Sequence, residues 1–171
     1  MKKSCSEYFY TVYQSPLGPL YLIASNRGLV ALCFTKQSFD RILKGSHFAG
    51  VKPERAEQQF MSLVKQLDAY FKGRPVKFVY QADLLSCTAF QKAVWRKLSE
   101  LLPGQLTTYG SLAREIKRPK SSRAVGQAVG ANPLPIIIPC HRVISSGGKL
   151  GGFTGGISLK KKLLSIEGIK I

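Results

Sequence analysis

Acidic side chains are scarce: 9 Asp and Glu stand against 26 Lys and Arg in 171 residues, a formal net charge of +17. That imbalance makes a polyanionic partner the leading explanation of the surface, ahead of a merely solvated or heat-adapted one. The shortage is uneven. Residues 1–86 hold 12 basic and 6 acidic side chains, net +6, and residues 87–171 hold 14 and 3, net +11, so the anion is expected mainly at the second half. Long apolar runs are missing too, which excludes a bilayer-spanning helix. The first residues, Met-Lys-Lys-Ser-Cys-Ser, run into Glu7 and alternating aromatics without a signal-peptide core, so the chain is expected in the cytoplasm. There are no repeats and no low-complexity segment. Four cysteines (Cys5, Cys33, Cys87, Cys140) lack C-x-x-C spacing, and in a reducing compartment no disulfide is expected. What is present, 44% hydrophobic and 20% charged residues, describes a soluble globular chain long enough for one domain, or for a small and a medium one.

Residues 8–14 are aromatic and β-branched, Ser-Pro-Leu-Gly-Pro supplies a turn, and residues 20–24 and 29–34 add two strands around Asn26-Arg27-Gly28. This pattern predicts an antiparallel meander. Ala56, Phe60, Leu63, Val64, Leu67, Tyr70 and Phe71 recur at three and four, which predicts a helix from Pro53 to just before Gly73. Residues 75–80 alternate like one more strand. A boundary near residues 81–88 divides the chain into 1–85 and 86–171. Thr88 and Gln91 then form a capping box for a helix with Phe90, Val94, Leu98 and Leu101 on one face. A short helix over 109–117 and a third, capped by Ser121 and carrying Ala124, Val125, Gly126, Ala128 and Val129, resemble a helix-turn-helix. The fold class is thus α/β (α+β): a small N-terminal antiparallel sheet with a helix, and a helical C-terminal domain.

The stretch with chemistry in it is Asn132-Pro-Leu-Pro-Ile-Ile-Ile-Pro-Cys-His-Arg-Val143. Three prolines restrict the approach, and Ile136 to Ile138 read as a short buried strand. Side chains of adjacent strand residues point to opposite faces, so Cys140 and His141 cooperate only if the chain coils after Pro139. A helix start, the imidazole and Arg142 would then favour thiolate. A buried structural cysteine beside a surface histidine is the plainer alternative.

The string Asn-Pro-x-Pro-x-x-x-Pro-Cys-His-Arg-Val resembles the active-site segment of the O6-alkylguanine-DNA alkyltransferases, and the likeness keeps order and spacing from about Phe90 to Glu167. It implies direct reversal of DNA damage: irreversible transfer of the alkyl group of O6-alkylguanine to Cys140, with acceptance of O4-alkylthymine left open. Each molecule then acts once, as a stoichiometric, self-inactivating methylated-DNA-protein-cysteine S-methyltransferase. The resemblance makes Glu167 the carboxylate that orients His141 in a Cys-His-Glu relay, and Tyr109 the phenol that packs on and hydrogen-bonds the extruded guanine. Arg123, beside Ser122 at the start of the second helix of the pair, becomes a finger that fills the base stack through the minor groove. Asn132 becomes a structural residue of the active-site turn. The carbonyls of Cys140 and Val143 become acceptors for the guanine amine. Thr154 and Gly155 belong to the glycine-rich loop that closes the pocket, the backbone N–H of Thr154 meeting O6.

No cofactor and no metal are implied for the transfer. Some members of the family carry zinc in the N-terminal part, but Cys5, Cys33 and His47 match no compact zinc template. The expected partner is double-stranded DNA containing alkylated guanine; no membrane or obligate protein partner is expected, and the chain is expected to be a monomer. The alternative is a non-catalytic DNA-binding regulator or alkyl-base sensor, and Cys140 separates the two, since a sensor lacks the acceptor thiol.

Overall fold

The computed structural model describes residues 7–84 and 87–170, so Cys5 lies outside the described residues. The chain forms two compact units, residues 7–68 with 78–84 and residues 69–77 with 87–170.

In the first unit, β1 (Tyr8–Ser15), β2 (Gly18–Ser25) and β3 (Gly28–Cys33) form the predicted antiparallel meander. Ser15 faces Gly18 across the first turn, and the Ser15 hydroxyl donates to the Gly18 carbonyl at 2.6 Å. Gly28, at φ +144°, opens β3 where a Cβ would stand 2.4 Å from the Gln81 carbonyl oxygen; only glycine admits that approach. α1 (Lys36–Leu43) follows, its N-terminus capped by Thr35 accepting from the Ser38 N–H. Phe39 of α1 joins Tyr8, Ile23, Val30, Ala31, Cys33 and Phe48 in one hydrophobic cluster.

Two expectations fail in the segment after this cluster. The helix predicted from Pro53 starts only at Met61: β4 (Glu54–Arg55) pairs in parallel with β1, a 3₁₀ turn covers Glu57–Phe60, and α2 spans Met61–Phe71. Pairing to β1 outcompetes helix there, because the Ala56 N–H is taken by the Tyr10 carbonyl at 3.1 Å. Residues 75–80 form no strand either. Val79 is 80% exposed, and its N–H and carbonyl are both satisfied by the Gln66 side-chain amide, which stands in for a neighbouring strand.

The second unit is built on α3 (Ala89–Glu100), whose Thr88–Gln91 capping box is present in both directions. Val94, Trp95 and Leu98 are its buried face, and the Trp95 indole donates to the Ala128 carbonyl at 2.8 Å. β5 (Thr107–Thr108) leads directly into α4 (Tyr109–Glu115), and α5 (Ser122–Gly130) packs on both α3 and α4, the helix-turn-helix arrangement. α4 is shorter than predicted: Lys117 sits at φ +58° and ends the helical path. Ser121 precedes α5 but does not cap it; its hydroxyl donates to the Arg118 carbonyl at 2.6 Å and tightens the turn instead. β6 (Val143–Ile144) pairs in parallel with β5, and α6 (Ile157–Ile166) closes the unit. Ile136 to Ile138 are buried but form no strand, since Ile136 adopts φ +73° and the Ile138 N–H turns back to the Leu134 carbonyl at 2.8 Å. Among the described residues no helix is long and apolar enough to cross a membrane, and no group of three His, Cys, Asp or Glu could hold a metal ion.

Candidate active site

The coil required after Pro139 exists. Cys140–Arg142 form one 3₁₀ turn preceded by Pro139, and β6 follows immediately. Asn132 fixes that turn from outside: its side-chain amide donates to the Ile138 carbonyl at 2.8 Å while its carbonyl oxygen accepts from the Leu134 N–H at 3.0 Å. Both bonds are local, as asparagine favours. Pairing of Thr107 with Val143 and Thr108 with Ile144 brings Tyr109, the first residue of α4, beside the end of the cysteine-bearing segment.

Tyr109 and Cys140 line a cavity of about 280 Å³. Gly126, Val129 and Gly130 of α5 make one wall, and Gly152, Phe153 and Thr154 of the loop make another. The small residues of α5 therefore shape a wall of this cavity. The Thr154 hydroxyl ties loop to helix by donating to the Gly130 carbonyl at 3.1 Å. Gly151, at φ +69°, is needed because a Cβ there would meet the Tyr109 hydroxyl at 2.8 Å.

Behind the cysteine stands a buried polar cluster. His141 is fully buried, and its Nε2 lies 2.7 Å from Glu167 Oε1. Arg142 donates through Nε to Glu167 Oε2 at 2.8 Å, through Nη2 to Oε1 at 2.9 Å, and through Nη1 to the Leu101 carbonyl at 2.6 Å. The Tyr70 hydroxyl adds a fourth donor to Glu167 at 3.1 Å. Burial by itself would raise the Glu167 carboxyl, but the hydrogen bonds and charges of His141 and Arg142 hold it at about 2. His141 is pushed below its ordinary value, chiefly by burial, against the opposing pull of Glu167. The pair is consequently a carboxylate and a neutral imidazole at neutral pH. Nε2 carries the proton donated to Glu167, and Nδ1, which has no hydrogen-bond partner among the described residues, carries the lone pair.

Cys140 differs from expectation. Its thiol is 4% exposed, and burial pushes its pKa up to about 11 despite the Asn132 side chain, nearby backbone N–H groups and Lys160 acting to lower it. The resting group is a thiol, because Arg142 is turned to Glu167 and one 3₁₀ turn does not repay the desolvation of an anion. Tyr109 is shifted up by burial and then by Cys140, so its phenol remains a donor.

The structure therefore gathers Tyr109, Cys140 and Thr154 at one cavity, with Asn132, His141 and Glu167 behind the sulfur. Val143 is buried with its carbonyl accepting from Lys160 Nζ at 2.5 Å, and Gly155 follows Thr154 half-buried in the loop. Ser122 and Arg123 stand at the start of α5, Arg123 exposed and both outside the cavity wall. Sequence reasoning missed the parts played by Arg142, Tyr70 and Lys160. Lys160 was visible as a position: 160, 163, 164 and 167 fall at i, i+3, i+4 and i+7, one helix face.

Acid should weaken this cluster as Glu167 is forced to take up a proton. A carboxyl held at about 2, against the ordinary 4.5, contributes stability that is fully present above pH 4.5 and is lost as pH falls towards 2. Denaturant titrations across that window are expected to show the loss in the parent and much less of it in Glu167→Gln; equal slopes in both would contradict the assignment.

Two family models together span nearly the whole chain: the ribonuclease-like domain of 6-O-methylguanine DNA methyltransferase matches residues 8–84, and the DNA-binding domain of the same proteins matches residues 89–169. The methylated-DNA–protein-cysteine methyltransferase of Methanosarcina acetivorans is 39% identical over 162 residues, 94% of this chain and 98% of that protein. Among solved structures, Mycobacterium tuberculosis O6-methylguanine methyltransferase superposes with a TM-score of 0.79 at 36% identity, covering 94% of this chain and 92% of that one. Mycobacterium tuberculosis OGT in complex with DNA superposes with a TM-score of 0.80 at 38% identity, covering 94% and 93%. With a thiol lining a cavity of about 280 Å³, a buried His–Glu pair beginning at the next residue and these likenesses along almost its whole length, the chain belongs to the methylated-DNA–protein-cysteine methyltransferase family.

Proposed function

We propose that this chain repairs double-stranded DNA by taking the alkyl group of O6-alkylguanine onto Cys140 in one irreversible step. The observation that carries the reading is the position of Cys140: buried, lining a cavity of about 280 Å³ together with Tyr109, and preceding a histidine held by a carboxylate. The O6 atom of a stacked guanine is out of reach of a protein thiol, so the base must leave the helix, at a cost of a few kcal/mol. In the cavity the thiol gives its proton to Nδ1 of His141, through a water. Glu167 keeps the imidazole in the required tautomer and stabilises the imidazolium as it forms. The sulfur attacks the alkyl carbon in line, the carbon–O6 bond breaks, and the Tyr109 phenol passes its proton to the departing base so that guanine leaves neutral; the thiol proton held on His141 then returns to Tyr109 through solvent, leaving both side chains neutral. The Thr154 N–H supports O6, the Cys140 carbonyl receives the exocyclic amine, and the Val143 carbonyl, already accepting from Lys160, offers the amine its second lone pair. A thioether is not a leaving group under mild conditions. With excess methylated duplex, one methyl group per chain should be transferred and the reaction then stop; continued release of repaired guanine beyond one equivalent would overturn the reading.

Residues 86–171 carry the DNA contact and the acceptor in this account, residues 1–85 support them, and the chain works as a cytoplasmic monomer without cofactor or metal. Ser122 and Arg123 at the start of α5 face the duplex. With +11 in residues 87–171, affinity for undamaged duplex is expected to fall by orders of magnitude between about 50 and 200 mM salt with little dependence on sequence. A flat salt response in a filter-binding or anisotropy titration would remove the phosphate contacts from the account.

Glu167→Gln is expected to slow single-turnover transfer while leaving duplex affinity near parental. It should also cost stability, because Arg142 loses its buried counter-charge; breaking such a pair costs about 3–5 kcal/mol. Parental transfer by the folded variant would remove the relay.

A further inference from the structure

Lys160 is fully buried, and no step above uses it. Its ammonium donates to two backbone carbonyls, Val143 at 2.5 Å and Leu150. The two acceptors belong to different segments. Val143 opens β6, directly after the Cys140–Arg142 turn, and Leu150 precedes the Gly152, Phe153 and Thr154 wall of the cavity. A buried ammonium is costly unless its hydrogens find acceptors, whereas methionine would fill the same space without that penalty. Filling space therefore does not account for a lysine here. Burial draws its pKa down to about 8, and the Cys140 sulfur acts to raise it, so the ammonium and the reacting atom share one electrostatic environment. The loop it reaches has six glycines between 147 and 156 and offers few side chains by which anything could anchor it.

We propose that Lys160 is a positioning residue for alkyl transfer, clamping the glycine-rich loop to the strand that follows Cys140 and so holding the cavity wall over the bound base. The proposal rests on the reading that this cavity receives the alkylated guanine. It differs from a purely structural role in what it moves: loop order and the rate of transfer, with duplex grip unchanged. Misplacing a reacting group by about 1 Å costs on the order of 100-fold in rate.

Lys160→Met removes the ammonium at similar volume. In a folded Lys160→Met chain, amide hydrogen exchange across residues 147–156 should accelerate, and single-turnover transfer from methylated duplex and from a free O6-alkylguanine base should slow about 10- to 100-fold alike, with duplex affinity near parental. If Lys160→Met does not fold, Lys160→Gln, which keeps a shorter N–H donor, is measured in the same way. Either folded variant reacting at the parental rate, or showing parental exchange in the loop, overturns the clamp. Acylation mapping of the unaltered protein supplies an independent arm: Lys160 should react far more slowly than its exposed neighbours Lys161 and Lys162, and equal labelling overturns the proposal. An unaltered protein that takes no methyl group at all would instead bring down the reading of the cavity, a separate outcome.

Discussion

Cys140→Ser is expected to abolish alkyl transfer completely while leaving the fold and duplex binding intact. Serine is close to isosteric, and the 3₁₀ turn that holds position 140 depends on backbone hydrogen bonds and on Asn132 rather than on sulfur. What disappears is a polarizable nucleophile whose proton a neutral imidazole can remove. A hydroxyl is far less acidic, and unlike in the serine hydrolases the target here is a saturated carbon, attacked in line without a tetrahedral intermediate. Cys140 is buried at rest with its pKa raised to about 11, and in the proposed relay it loses its proton only in the filled site, with His141 as the base. Transfer should accordingly fall on acidification, as protonation of His141 removes that base. Methylated duplex should still bind to the serine variant, and the base should remain alkylated after long incubation. Transfer of the label by Cys140→Ser to any other residue would show that a different thiol is the acceptor.

Arg123→Ala should divide the substrates. Arg123 lies at the exposed start of α5 and does not line the cavity, so its loss is expected to leave the chemistry of a base already bound unchanged. Extrusion from a duplex leaves a gap in the stack, and a planar guanidinium entering from the minor-groove side fills it and hydrogen-bonds the orphaned partner. Losing that contact is worth roughly 1–3 kcal/mol, about one to two orders of magnitude in the rate on methylated duplex. Reaction with a free O6-benzylguanine base, which has no stack to repair, should stay near parental. Equal losses on both substrates would mean that Arg123 shapes the pocket and is not a finger.

The meander, the α3 capping box and the helix pair were legible in the sequence because each rests on local chemistry: turn residues, a Thr–Gln cap and spacing at three and four. The departures at residues 54–56 and 75–80 come from tertiary bonds overriding local pattern, and those at Lys117, Ser121 and Ile136 from local turns. Pairing with β1 took residues 54–56 from the predicted helix, the Gln66 amide replaced a strand partner for Val79, and Ile136 at φ +73° turned a β-branched run into a buried turn. α1, by contrast, had a local signal in Thr35 three residues before Ser38 and in Phe39, Ile42 and Leu43, and this was overlooked. At the site, Cys140 and His141 were legible in one motif, whereas Tyr109 and Glu167 entered only through the family resemblance. The buried roles of Arg142 and Lys160 were not legible: Arg142 was expected to favour thiolate at Cys140, but the fold turns it onto Glu167, and it turns Lys160 onto the Val143 and Leu150 carbonyls.

The central claim is that Cys140 is the alkyl acceptor. Intact-mass measurement after incubation with duplex containing O6-methylguanine, followed by peptide mapping, tests it most directly. The account predicts a gain of one methylene per chain, located on Cys140 alone, with guanine restored in the DNA. An unchanged mass, or a methyl group mapped to Cys5, Cys33 or Cys87, would contradict it.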